Sequence, residues 1–213
     1  MLYFKNYITD STLLGIWKVD ENQTELLSLL SHHEWIQNIY STRSESRVLE
    51  ILSARILIKE LTGEEKQVQY NNTGKPFLID QSYHISVSHT KKFVAVVINK
   101  EKPIGLDIEY ISEKIRRVQS RIVSANEYID SDNELVHLLL HWSAKEAMFK
   151  FLDKEAVDFR QNLFVSKFIP QQEGTFSAYE TRTKQNTHFN AYYKVGKEFV
   201  MVCIESEKIN STG

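Results

Sequence analysis

The chain has 213 residues, of which 42% are hydrophobic and 25% charged, and its formal net charge is −2. This composition is typical of a globular protein and excludes both a disordered chain and a strongly basic arm that binds nucleic acid. The length allows one domain or two fused halves of about 100 residues each.

Membrane and targeting segments are not indicated by the sequence. No window approaches the ~18 uncharged apolar residues that a transmembrane helix needs, and residues 1–10 lack a basic segment followed by a long apolar one. We therefore expect a cytoplasmic protein that does not associate with membranes. The single cysteine, Cys203, cannot form an intramolecular disulfide, and its apolar neighbours predict a buried, inert thiol.

In the first part of the chain, apolar periodicity predicts a strand over 13–19 and a helix over 24–40. Thr42 and Glu45 form a capping-box pattern. The apolar residues that follow at helical spacing predict a second helix, which Gly63 is placed to end.

Basic side chains occur at two kinds of position here. Arg47 and Arg55 lie eight residues apart on the second helix, close to two turns, so they share a side. This position is typical of solvated charges on the polar face of an amphipathic helix. Lys75 lies at a bend in the turn 71–76, in which Gly74 can adopt positive φ.

Two strands with strong signals follow this turn. Residues 84–88 alternate between polar and apolar, and residues 93–98 form a continuous apolar run that suits a buried strand. The connection between them carries hydroxyl groups, an imidazole and two ammonium groups, including those of Ser88 and His89. Such a connection could hold phosphate oxygens, or it could be an ordinary polar turn.

The most informative stretch is the predicted strand over 102–110, which contains Asp107 and Glu109 two residues apart. Side chains at this spacing point to the same side of a strand. We expect the alternating apolar residues to pack and the acidic face to be exposed. Because two acids on one face repel each other, a compensating charge such as a divalent cation is expected, although two ordinary surface acids also fit.

In the second part of the chain, Ser124 and Glu127 form another capping-box pattern. A helix is predicted over 134–152, with Asn133 at its start. The remaining sequence predicts strands over 163–169, 175–180, 188–195 and 199–205. The order of strand, helices and strands thus occurs twice, which predicts two similar α+β halves that meet near Pro103.

The predicted helix 134–152 carries Trp142, Glu146 and Lys150, which are spaced four residues apart and form one stripe. A Glu-to-Lys pair at this spacing is commonly a simple helical salt bridge. The neighbouring positions are apolar almost all round, however, and charged residues in such surroundings are generally paired or bind a ligand.

His137 and His141 have the i, i+4 spacing of helical zinc ligands. No His-Glu-x-x-His pattern and no third ligand stand nearby in the sequence, so packing is the favoured interpretation. Phosphate-binding glycine loops and nucleophile motifs are likewise missing.

Four motifs taken together resemble the 4′-phosphopantetheinyl transferase superfamily, in its long, monomeric, surfactin-synthetase-activating form. They are Gly74-Lys-Pro76, Ser86-Val-Ser-His-Thr90, Pro103-Ile-Gly-Leu-Asp-Ile-Glu109, and Trp142-Ser-Ala-Lys-Glu-Ala147 with Lys150. Their order and spacing both fit the family, and the similarity is specific between Gly74 and Lys150.

The resemblance implies an α+β fold that is a pseudo-twofold pair of halves, 1–103 and 104–213, with coenzyme A bound in the cleft between them. It also implies a monomeric enzyme of the holo-[acyl-carrier-protein] synthase type. Such an enzyme uses Mg²⁺, or Mn²⁺ in its place, to move the 4′-phosphopantetheine arm of coenzyme A to a serine of an apo acyl or peptidyl carrier protein. The other product is adenosine 3′,5′-bisphosphate.

Residue by residue, the resemblance makes Asp107, Glu109 and Glu146 the metal ligands. Glu146 is also the candidate base for the attacking serine, and Lys150 would stabilise charge on the leaving phosphate. The family positions that contact coenzyme A correspond to Lys75, Ser88, His89, Arg47 and Arg55.

The sequence departs from the family pattern at one place. Many relatives have a Gly-x-Gly turn after the lysine, whereas no glycine occurs in 151–159.

Two other function classes are also considered. A relative that binds coenzyme A or a carrier protein without turnover is the main alternative. A metal-dependent nuclease is less favoured, because those enzymes usually place Glu and Lys two apart on a strand, and because this chain has no basic excess.

Overall fold

The computed structural model describes residues 1–36, 44–154 and 156–207. The chain divides into two compact units, Met1–Glu101 and Lys102–Gly213. Each unit consists of a β-sheet with one long helix packed on it, so the predicted α+β class is confirmed. No helix in the described ranges has both the length and the apolar character needed to cross a bilayer.

The first unit contains a four-stranded antiparallel sheet and a separate hairpin. Its strands are β1 (Leu2–Thr9), β2 (Thr12–Lys18), β3 (Val68–Tyr70), β4 (Pro76–Leu78), β5 (His84–Thr90) and β6 (Phe93–Asn99). The sheet order is β1-β2-β6-β5, and β3 pairs with β4. The apolar strands β2 and β6 lie at the centre and are buried on both faces. The sequence pattern does not predict β1, because most of its side chains are exposed and show no alternation.

The first helical segment is shorter than predicted. Helix α1 (Gln23–Ser28) is followed by a single 3₁₀ turn at His33–Trp35, so a continuous helix over 24–40 is wrong. The backbone N–H groups of Ser31 and His32 donate to the Glu65 carboxylate at 2.7 and 3.1 Å, and these bonds replace helical ones. Residues 37–40 lie outside the described ranges.

Helix α2 (Glu45–Thr62) packs on β2 and β6 and forms the core of the first unit with them. Its N-cap is Ser44, whose hydroxyl accepts a hydrogen bond from the Arg47 N–H at 3.4 Å, whereas Thr42 of the predicted capping box lies outside the described residues. The predicted end at Gly63 is confirmed, since this residue has a φ of 84° and caps the helix.

The second unit contains a five-stranded antiparallel sheet of order β7-β11-β10-β9-β8. Its strands are β7 (Ile104–Tyr110), β8 (Leu163–Val165), β9 (Glu173–Glu180), β10 (His188–Val195) and β11 (Phe199–Ser206). Its helices are a 3₁₀ segment at Glu113–Arg117, α3 (Gln119–Ile122), α4 (Glu134–Leu152) and α5 (Phe159–Asn162). The predicted bounds of α4 are confirmed. Cys203 on β11 is buried as expected, and its burial raises the pKa of the thiol.

The histidines of α4 serve packing in the described part of the chain. His137 lies against the ring of Phe168 at 4.5 Å between centroids, and its Nδ1 accepts the N–H of Asp130 at 2.9 Å. Burial lowers the pKa of His137 to about 4, so the ring is neutral near pH 7. No third ligand joins His137 and His141 among the described residues.

The Ser124 and Glu127 pattern closes a turn, and no helix begins there, so the predicted helix start is wrong. The Glu127 carboxylate does accept the Ser124 N–H at 2.7 Å. Its other oxygen accepts the N–H of Val165 at 2.9 Å, which ties the turn to β8. A local pattern that usually starts a helix is thus used for tertiary contacts.

Glu127 also forms a buried ion pair with Lys145 of α4. The two side chains are 3% and 0% exposed, and their charged atoms lie 2.7 Å apart. The Lys145 ammonium donates to the carbonyl oxygens of Ile122 and Phe159 at 2.7 and 3.1 Å as well, so all three of its hydrogens have acceptors. Burial opposes the charge on Glu127, but hydrogen bonds from His141 and Lys145 and the charge of Lys145 lower its pKa to about 2.

Helix α4 ends at Asp153, which adopts the left-handed conformation with a φ of 50°. Glycine is the usual residue for this conformation because it has no Cβ. Asp153 therefore keeps a glycine-like backbone without a glycine.

We expect Asp153→Gly to raise the free energy of unfolding by about 0.5 kcal/mol. A non-glycine residue in the left-handed region costs about 1 kcal/mol, and the greater freedom of glycine in the unfolded chain cancels part of the gain. Urea unfolding of the variant measures the change. Lys154→Gly, one residue further on without a positive φ, is the control and should lower the stability. Equal losses in both variants would contradict the prediction.

Candidate active site

The acidic face of β7 is covered by α4, and the expectation of an exposed face is wrong. Asp107 is only 4% exposed. Both Asp107 and Glu109 form hydrogen bonds to side chains of α4. The other face of the strand is buried too, because Leu106 and Ile108 lie in the core. The two acids are thus enclosed between a sheet and a helix.

Gly105 allows β7 and α4 to approach this closely. A Cβ atom at Gly105 would lie 2.3 Å from the carbonyl oxygen of Ala147, a backbone atom that cannot rotate away. Gly105 points to the same side as Asp107, two residues further on. The glycine therefore sets the separation between the acids and the stripe on α4, a role that the sequence analysis did not assign.

We expect Gly105→Ala to lower the free energy of unfolding by about 1–3 kcal/mol, because the added methyl group overpacks a backbone contact. Denaturant unfolding tests this. Gly174→Ala is the matched control on β9, where the new Cβ would meet the hydroxyl of Tyr193, a side-chain atom and not a backbone atom, at 2.9 Å. A loss for Gly105→Ala no larger than that of the control would refute the assigned role.

The structure brings Lys150 to Asp107. The ammonium nitrogen lies 2.7 Å from Oδ1 of Asp107 and 3.1 Å from the carbonyl oxygen of Leu106. Asp107 is buried and Lys150 is about one-third exposed. The buried carboxylate is thus paired with the amine at the edge of the enclosed cluster.

Trp142 holds the second acid. Its indole N–H donates to Oε1 of Glu109 at 2.7 Å. The stripe of Trp142, Glu146 and Lys150 therefore faces β7 along two turns of helix, as the four-residue spacing predicts. In the sequence, Trp142 is distinguished only by its position in this stripe. The four-residue spacing was the one signal that could have indicated its contact with β7.

Negative charge is in excess in this cluster. Burial, and after it the charge of Asp107, raises the pKa of Glu109 despite the hydrogen bond from Trp142. The same two causes raise the pKa of Glu146 to about 7, against the opposing charge of Lys150. Three carboxylates thus share one ammonium group, and two of them are shifted toward the protonated form.

The donor set suits a hard divalent cation in its chemistry. Carboxylate oxygens are the ligands that Mg²⁺ and Mn²⁺ prefer, and added positive charge would relieve the repulsion that raises the pKa values of Glu109 and Glu146. Within the described ranges, however, no three histidine, cysteine or acidic side chains are gathered closely enough to hold a metal ion. The positive charge at Asp107 comes from Lys150. The metal role of Asp107, Glu109 and Glu146 stays a prediction.

The residues predicted to contact coenzyme A lie in the first unit. Arg47 is bonded to His89, with 2.6 Å between Nη1 and Nε2. Ser88 on β5 is buried, and the backbone N–H of Lys75 donates to the Asn71 side chain at 2.8 Å. Gly74, before Lys75, has a φ of 85°, which confirms the predicted positive value.

Arg55 contacts residues outside this group. Its guanidinium donates to the carbonyl oxygen of Val68 at 3.1 Å and lies over the ring of Tyr70. Burial lowers its pKa. The structure thus brings Arg47 and His89 together and gives Arg55 other partners, while the predicted role of all five residues in binding coenzyme A stays untested.

Comparison with known proteins finds similarity in the second unit. Residues 103–204 match the family model described as 4′-phosphopantetheinyl transferase superfamily. This part of the chain is therefore similar to that superfamily. The chain is also 31% identical over 112 residues to 4′-phosphopantetheinyl transferase gsp of Aneurinibacillus migulanus. The similarity covers 49% of this chain and 46% of that relative.

The transferase-superfamily match contains every residue of the enclosed cluster. Asp107, Glu109, Glu146 and Lys150 all fall inside 103–204, as do Gly105, Trp142 and the buried pair of Glu127 and Lys145. The five residues predicted to bind coenzyme A fall before residue 103 and outside the match. The similarity to the family therefore includes the cluster of β7 and α4.

Proposed function

We propose that this chain transfers the 4′-phosphopantetheine arm of coenzyme A to a serine of an apo acyl or peptidyl carrier protein, and that adenosine 3′,5′-bisphosphate is released. The observation that carries the proposal is the enclosed cluster inside the family match. Asp107 holds the Lys150 ammonium at 2.7 Å, and Glu146 on the same helix has a pKa raised to about 7. The superfamily match and the named relative support the reaction class.

Glu146 is the proposed acceptor for the proton of the attacking serine hydroxyl. A general base works best when its pKa lies near the working pH, and burial beside Asp107 brings Glu146 to that range. Lys150, which is paired with Asp107, is proposed to stabilise negative charge on the leaving phosphate. Phosphoryl transfer needs alignment and charge neutralisation more than covalent catalysis, so these side chains suffice for the protein's part.

The oxygens of Asp107, Glu109 and Glu146 would hold the divalent cation. When bound, Mg²⁺ or Mn²⁺ supplies charge neutralisation at the pyrophosphate. Glu146 has two competing roles in this proposal, because an oxygen bound to a metal cannot also accept a proton. The hydrogen bond from Trp142 fixes one oxygen of Glu109 in either case.

The first unit is proposed to contact the phosphates of coenzyme A through Lys75, Ser88, His89, Arg47 and Arg55. Ammonium, guanidinium and imidazole groups with a hydroxyl are a common set for phosphate oxygens. Binding of coenzyme A in a cleft between two halves and a monomeric state stay predictions from the resemblance. A cytoplasmic location stays a prediction from the sequence.

A transfer assay read by intact mass tests the proposed function. The purified chain is mixed with coenzyme A, Mg²⁺ and a panel of apo carrier proteins, and at least one carrier should gain the mass of one phosphopantetheine arm. The matched control is the same carrier with its acceptor serine replaced by alanine, which should stay unmodified. Chelation should stop the reaction and added Mg²⁺ or Mn²⁺ should restore it. Binding of coenzyme A without transfer to any carrier would favour the non-catalytic alternative.

A further inference from the structure

Glu50 of α2 contacts both Arg47 and His89. Its Oε2 accepts a hydrogen bond from Nη1 of Arg47 at 2.9 Å, and its Oε1 lies 3.3 Å from Nδ1 of His89. The side chain of Glu50 is 18% exposed, whereas those of Arg47 and His89 are 36% and 41% exposed. A half-buried carboxylate thus lies behind two more exposed groups, and the sequence analysis assigned it no role.

The contacts determine which imidazole nitrogen carries hydrogen. A guanidinium group only donates, so Nε2 of His89 must accept from Nη1 of Arg47 at 2.6 Å. The hydrogen of the neutral ring then lies on Nδ1, which faces the Glu50 carboxylate. Glu50 therefore selects the tautomer of His89 and turns its Nε2 toward Arg47.

Arg47 is oriented through the same carboxylate. Its Nη1 serves both contacts, and because the guanidinium group is planar, fixing one nitrogen limits the orientation of the whole group. A long side chain that is about one-third exposed otherwise loses rotamer freedom when it binds a ligand. Preorganisation by Glu50 reduces that loss.

We propose that Glu50 is a positioning residue that holds the Arg47 guanidinium, directly and through His89, ready for a phosphate group of coenzyme A. The inference rests on the proposed function, because that function supplies the phosphate. A carboxylate this close to an anion site also repels the anion, and the two effects have opposite signs. Orientation dominates here because Glu50 fixes both the guanidinium and the His89 ring, whose Nε2 accepts a hydrogen bond from that guanidinium.

The test compares Glu50→Ala and Glu50→Gln with the unchanged chain, by calorimetric binding of coenzyme A and by transfer kinetics. Loss of an orienting partner typically costs 10-fold or more in affinity, so Glu50→Ala should raise the Kd and the KM for coenzyme A by about 10-fold with kcat unchanged. Glu50→Gln keeps an acceptor oxygen and should show a smaller rise. Glu60→Ala, an exposed glutamate on the same helix, is the matched control and should bind as the unchanged chain does.

A double-substitution cycle separates orientation from simple charge. If Glu50 acts through its two partners, Glu50→Ala should have no further effect on the Kd in a chain that already carries Arg47→Ala and His89→Ala. Tighter binding by Glu50→Ala or Glu50→Gln would show that repulsion dominates and would overturn the proposal. An unchanged Kd would overturn it as well.

The inference and the proposed transferase function fail separately. If no carrier is modified but the Kd of coenzyme A still depends on Glu50 through Arg47 and His89, the transferase proposal fails and the positioning role stands. If a carrier is modified and the Glu50 variants bind coenzyme A normally, only the positioning role fails. Urea unfolding midpoints of the variants, expected to match that of the unchanged chain, show that the fold is intact.

Discussion

Lys145→Met is expected to lower the free energy of unfolding by about 3–5 kcal/mol, because it leaves the Glu127 carboxylate buried without its countercharge. Lys145 is completely buried, and its ammonium also satisfies the carbonyl oxygens of Ile122 and Phe159. Methionine fills a similar volume, so the loss reports the broken pair more than a cavity. Denaturant unfolding near pH 7 measures it.

Two further variants distinguish the destabilisation caused by an unpaired buried charge from the destabilisation caused by losing a lysine side chain. The double variant Lys145→Met with Glu127→Gln removes both charges and keeps one acceptor oxygen, for the N–H group of either Ser124 or Val165. It should lose less stability than Lys145→Met alone. Lys194→Met is the matched control. Its partner Glu173 is 57% exposed, and such a pair is worth at most about 1 kcal/mol. Equal losses for Lys145→Met and Lys194→Met would contradict the argument.

Glu146→Gln is expected to lower the kcat of the proposed transfer by 10²-fold or more, a loss typical of removing a central electrostatic or proton-accepting group. Glutamine keeps the shape of the side chain but cannot carry a negative charge or accept the serine proton. The rate of mass gain by the carrier protein, at saturating coenzyme A and Mg²⁺, measures the effect.

Stability should not fall in the same Glu146→Gln variant. In the folded chain, burial raises the pKa of Glu146 to about 7, from its ordinary value of 4.5. The folded chain therefore binds the proton more tightly than the unfolded one, and ionisation of Glu146 weakens the fold as the pH rises through this range. Glu198→Gln, an exposed site in the same unit, is the activity control. Transfer by Glu146→Gln at the control's rate would refute the assigned site.

Local sequence patterns predicted the elements that carry the candidate site. The bounds of α4, the position of β7 and the end of α2 at Gly63 are all confirmed. These features depend on periodicity within a few residues and on the positive φ that glycine adopts readily. Patterns of the same kind were wrong over 24–40 and at Ser124, where the carboxylates of Glu65 and Glu127 bind the backbone instead.

Residue spacing alone predicts that Asp107 and Glu109 share one face of a strand and that Trp142, Glu146 and Lys150 share one stripe of a helix, because each set lies within a few residues of regular backbone. No spacing predicts that the face and the stripe meet. Asp107 and Lys150 are 43 positions apart, and their contact depends on the close approach of β7 to α4 at Gly105. Enclosure between a sheet and a helix is what raises the pKa of Glu146, and no local pattern contains that burial.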